Sequence, residues 1–166
     1  MASACAENAT APTVVQAIAP EKKSGARVSD VTAEAMPGVV MTQYDFDRIT
    51  SRVKSEIARA VPGALVEIAT TADPPREGSN IKIKLVFTRY DGGSAFARFM
   101  LAGLGQIHID ADVIFLDGGT GEAIAKYQVS KDFSFGGIYG GVTKIEDVEV
   151  GFAKSVAEIL RDNKKT

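Results

Sequence analysis

The sequence is poor in the residues from which small proteins build covalent or metal frameworks, with one cysteine and one histidine among 166 residues. A single cysteine excludes an internal disulfide, and with a single histidine it excludes the familiar Cys/His zinc spacings. No run of ~18 apolar residues occurs, so no stretch is long enough to cross a bilayer as a helix. A net charge of -2 offers no broad attraction for nucleic acid or anionic lipid. No Ser stands in a GxSxG elbow, and the lone histidine leaves little to activate a nucleophile. No cofactor is implied.

What is present is an ordinary globular composition, 45% hydrophobic and 24% charged, at a length that suits one domain with a real core. Residues 1–26 are rich in Ala, Thr and Pro and read as a flexible arm or tether, with Val14 to Ile18 able to pair on a sheet edge. The domain is expected over 27–166. Arg27 to Met36 is a candidate first strand, closed by Pro37-Gly38. Phe46, Ile49, Val53, Ile57 and Ala60 then recur at helical spacing, with Thr42 or Asp45 as cap and Pro62-Gly63 as terminator. Arg48, Arg52, Lys54, Glu56 and Arg59 fall mostly on the opposite side and read as a solvated face.

Ala64 to Ala69 suggests a short strand, and the proline-rich stretch to Asn80 a loop. Ile81, Ile83, Leu85 and Phe87 alternate with Lys82, Lys84 and Thr88, as in a half-buried strand. Two further alternating segments, Ile107 to Leu116 and Ala123 to Phe133, flank Asp117-Gly-Gly-Thr-Gly121 and predict a hairpin. Thr143 and Glu146 have the spacing of a capping box ahead of a last helix that buries Ile145, Val148, Phe152, Val156, Ile159 and Leu160.

Each candidate site has a plainer reading in the same residues. His108, Asp110 and Asp112 share one strand face and could converge on a metal or act as acid and base, whereas a polar strand face toward water gives the same pattern. The glycine run from Gly136 to Gly141 invites a phosphate-cradle reading, but Val142-Thr143 follows where a Walker loop needs Lys and then Ser or Thr. Phe96, Phe99 and Met100 make the connection before Gly103 unusually apolar; it either folds back onto the core or touches a partner. Cys5 follows Ala2-Ser3-Ala4, like the end of a bacterial lipobox, although Ala2 replaces the usual Leu and no apolar signal core precedes it.

Gly-Leu-Gly105, the strand into Leu116-Asp117, Thr120-Gly121-Glu122, the next strand, Gly136-Gly137, Gly140-Gly141 and Phe152-Ala153 together resemble the bacterial domain-of-unknown-function family 4410. The resemblance runs from about Thr42 onward. It implies a secreted or lipid-anchored envelope protein, with a layout similar to the α/β domains of the curli secretion lipoprotein and of penicillin-binding-protein activator lipoproteins. No catalytic residue carries over.

The expected fold is α+β: a mainly antiparallel or mixed sheet of four or five strands, with helices near 43–61 and 143–162 on one face. The expected function is a non-enzymatic envelope domain in the periplasm or outer membrane. It is tethered through Cys5, meets the membrane only through that lipid, and acts on an envelope protein partner. The alternatives are a small-ligand or metal-binding enzyme using the His108, Asp110 and Asp112 face, and a cytoplasmic regulatory domain.

Overall fold

The computed structural model describes residues 11–66, 78–93, 105–133 and 142–161. Its elements run β1 (Thr13–Gln16), α1 (Pro20–Lys23), β2 (Arg27–Ala35), α2 (Gln43–Ala60), β3 (Asn80–Asp91), β4 (Ile107–Asp117), β5 (Ala123–Phe133) and α3 (Ile145–Leu160). The five strands form one mixed sheet in the order β1-β5-β4-β3-β2. β2 and β3 are parallel and joined through α2, while every other neighbouring pair is antiparallel. The architecture is α+β, with the two long helices on one face.

Alternation along the strands decides which face the helices cover. Ile81, Ile83, Leu85 and Phe87 of β3, with Ile107, Ile109, Val113 and Phe115 of β4, are fully buried. Their intervening neighbours face away from the helices and remain partly or fully exposed. α2 supplies Ile49, Val53 and Ile57 to the core, and α3 supplies Phe152, Ala153 and Val156. Phe152 packs on Phe87 with ring centroids 5.5 Å apart, which ties α3 to the middle of the sheet.

The pairing expected at a sheet edge for Val14 to Ile18 is present as β1 on β5. Ile18 is buried and its N–H donates to the Tyr127 hydroxyl at 3.0 Å. α1 then crosses the end of the sheet, and Lys22 reaches Asp117 in the β4–β5 turn at 3.1 Å. Of the segment expected as a strand from Ala64, residues 64–66 are described, and Leu65 forms a single parallel bridge to Val28. The glycine run 136–141 lies outside the described residues.

Two local expectations are corrected. The capping box of α3 falls one residue later than Thr143 and Glu146: Lys144 holds the cap position, and the Asp147 carboxylate accepts from its backbone N–H at 2.8 Å. Arg48 and Arg52 do not belong to a solvated face. They flank the apolar stripe closely enough to turn toward α3, where an acidic partner waits.

Candidate functional site

Glu149 is the most deeply buried charge among the described residues, with no exposed surface. It falls within the apolar stripe of α3, four residues after Ile145 and three before Phe152, and so points at α2 and β3 rather than at water. Arg48 binds it through two bonds, Nε to Oε2 at 2.9 Å and Nη2 to Oε1 at 2.6 Å. The Tyr90 hydroxyl donates to Oε1 at 2.7 Å, and Arg52 approaches Oε2 at 3.3 Å. Arg52 also donates to the Glu146 carbonyl in the first turn of α3.

The cluster continues outward. Arg48 donates to the Tyr90 oxygen at 2.9 Å and to Asp45 at 2.8 Å, and its guanidinium lies 5.0 Å from the centroid of the Tyr44 ring. Hydrogen bonding to Glu149 outweighs burial and holds the Arg48 cation firmly protonated. Burial first, then the hydrogen bond and charge of Glu149, push the Tyr90 phenol far above its ordinary value. Burial alone would raise the Asp45 carboxyl, yet the Thr42 hydroxyl and N–H, with Arg48, bring it below the usual range. All these groups are matched to one another, and the cluster ties α2, α3 and β3 together.

The face away from the helices carries a different arrangement. Lys84 pairs with Glu34 at 2.8 Å and Lys126 with Asp112 at 2.8 Å. Val86, Ile114 and Leu116 lie half-buried among those side chains. His108, Asp110 and Asp112 share this face, half-buried on the central strand, where Asp132 of β5 stands opposite His108 and Ser130 opposite Asp110. Among the described residues no three His, Cys, Asp or Glu gather as a metal cage. Asp112 is engaged by Lys126, and the three side chains stand half-buried along a strand face that no helix covers among the described residues.

The β4–β5 turn is fixed by Asp117, whose Oδ1 accepts from the N–H groups of Gly119 at 3.0 Å and Thr120 at 3.1 Å. Gly121 then takes φ 75°, a conformation only glycine adopts freely. The Thr120 amide, the Lys22 ammonium and the Gly119 amide hold the Asp117 carboxyl down to about 2.

Cys5, Phe96, Phe99 and Met100 lie outside the described residues. The connection carrying those three leaves at Gly93 and returns at Gly105, where Gly93 is packed closely against the backbone of Gly105 and Gln106. Sequence reasoning passed over Glu149, although a carboxylate inside the helical stripe of α3 is a readable signal, and Arg48 and Arg52, spaced by four beside Ile49 and Val53, are its complement.

Together these features define a two-layer α+β domain whose helix layer is clamped by an internal ion cluster and whose other sheet face carries no helix among the described residues. Residues 24–137 match the family described as "Domain of unknown function (DUF4410)", and the chain belongs to that family. Among solved structures, the PelC dodecamer from Paraburkholderia phytofirmans is similar, with a TM-score of 0.59 and 12% identity, over 90% of this chain and 99% of that one. A point variant of the same PelC, also a dodecamer, has a TM-score of 0.54 and 11% identity, over 92% of this chain and 99% of the other. At that identity the likeness is one of fold. No curated protein matches the chain.

Proposed function

We propose that this chain is a non-enzymatic domain of the bacterial envelope, facing the periplasm, tethered by lipid at Cys5 and working through protein contacts. The observation that carries the reading is the division of labour between the two sheet faces. Helices cover one face, and its buried ionisable groups are consumed in holding them. The other carries no helix among the described residues and has paired charges around Val86, Ile114 and Leu116, a mixture that suits association with another protein surface. That the similar PelC structure is a dodecamer supports contacts between copies of this chain among the possible partners.

Phe96, Phe99 and Met100 remain the proposed contact patch in the connection between Gly93 and Gly105. The tether rests on the small residues before Cys5 and on an arm long enough to separate a lipid from the domain. Metabolic labelling of the full-length protein with a palmitate analogue tests it: label is expected in the native chain and lost in Cys5→Ser, with a shift from the membrane to the soluble fraction. An unlabelled native chain, with unchanged fractionation of the variant, would remove the tether.

A further inference from the structure

The side chains on the sheet face away from the helices are sorted by charge along the strands. On the side of the β4–β5 turn stand Lys82 and Lys84 of β3 and Lys126 of β5, level with Leu116 and Ile114 of β4. Further along the same face stand Glu34 of β2, level with Val86, and Asp112 and Asp110 of β4. Asp30 is level with Lys82, but it approaches Lys54 of α2 at 3.8 Å and accepts from the Val31 N–H. Arg89 is level with Asp110 and approaches Asp91 at 3.9 Å. One half of the face is thus basic and the other acidic.

Pairing within the chain does not use up this pattern. The Lys84–Glu34 and Lys126–Asp112 pairs, both at 2.8 Å, straddle the boundary between the two halves. Lys82 and Asp110 make no ion pair among the described residues, and the levels at which they stand are about 20 Å apart along β4. Lys82, Thr88, Gln128 and Ser130 are exposed, so the face is open to solvent where they stand. Val86, Ile114 and Leu116 are half-buried and stand outside the hydrophobic core.

Charges of both signs are ordinarily interspersed on a solvated surface, whereas a segregated face is complementary to a reversed copy of itself. A two-fold axis lying across the strands, level with Val113, turns the strands end for end and lays each basic half over the acidic half of the other copy. Lys82 then meets Asp110 of the other copy, once on each side of the axis. Val86 and Ile114 stand one step to either side of the Val113 level, so each Val86 meets Ile114 of the other copy near the axis. Sheets packed face to face lie about 10 Å apart, a gap that a lysine and a carboxylate can bridge. Packing with the strands parallel would set lysine over lysine instead.

We propose that this face is a self-association surface, occupied by the same face of a second copy with the strands antiparallel. The inference rests on the reading of the face as a protein-contact surface and gives that surface its partner. Four strands at about 4.8 Å and six residue steps of about 3.3 Å give a footprint of about 400 Å² per copy, smaller than the ~800 Å² per partner of a standard stable complex. The contact is therefore reversible and salt-sensitive, with its specificity set by charge.

Sedimentation velocity of the full chain reads the association, under reducing conditions that keep the single cysteine from linking two copies. A concentration-dependent dimer that dissociates at high salt is expected. Lys82→Asp and Asp110→Lys are each expected to weaken it about tenfold, since each sets like charges together on both sides of the axis. An equimolar mixture of the two variants is expected to regain the dimer. In that mixed pair the introduced carboxylate faces the introduced ammonium, and the native Lys82 faces the native Asp110. Recovery in the mixture separates lost pairing from lost folding. The proposal is overturned by a chain that stays monomeric at all concentrations, by association indifferent to both substitutions, or by a mixture that associates no better than either variant alone. A monomeric chain would leave contact with a different protein and the palmitate test of Cys5 untouched, and an unlabelled Cys5 would leave this dimer untouched.

Discussion

Glu149 has the largest consequences of any single side chain described. Removing a fully buried carboxylate leaves Arg48 and Arg52 facing each other across a gap in the helix layer. Glu149→Ala is expected to lower stability by about 3–5 kcal/mol, measured by urea unfolding. Replacing the inner cluster with apolar residues, as in Arg48→Met, Tyr90→Phe and Glu149→Leu together, is expected to recover most of that loss, because no charge is then stranded. The Asp117 carboxyl, held down at about 2 by the Thr120 amide, Lys22 and the Gly119 amide, acts through pH. A depressed carboxylate contributes stability that is fully present above the unfolded value near 4 and is lost as pH falls through about 2. Thermal melts across that acid window should lose this component in Asp117→Asn. The Arg48–Glu149 pairing was hard to read in advance because helical periodicity assigns faces by the apolar majority, and both arginines flank that stripe.

At the scale of elements, alternation and helical spacing were the legible signals. The β4–β5 hairpin, the β3 strand and the buried positions of both long helices follow from them, because burial of one face leaves a period in the sequence. Caps were less legible, since several polar residues near a helix start satisfy the same spacing. Thr42 and Asp45 form the reciprocal box of α2, where Thr42→Ala is expected to cost about 1 kcal/mol. For α3 the register shift makes a sharper comparison: Asp147→Ala should cost about 0.5–2 kcal/mol by chemical unfolding, and Glu146→Ala less. Parallel pairing of β2 with β3 is compatible with the mixed sheet the sequence implied, but strand order is set by tertiary contacts that no local pattern records.

Across the whole molecule, the two faces of the sheet differ in what the described residues place on them. The first holds the domain together through Phe87, Phe152 and the Glu149 cluster. The second carries paired charges and half-buried aliphatics, and it is the face proposed for protein contacts. Membership of the family and the α+β layout were readable from turn glycines and alternating strands, whereas the sheet order that places β1 on β5 was not, because it joins residues more than a hundred positions apart. The proposed tether depends on a lipid at Cys5. The most direct measurement is the mass of the N-terminal peptide from protein purified out of the membrane fraction: the account predicts an acylated Cys5, and an unmodified Cys5 in protein recovered from the soluble fraction would contradict it.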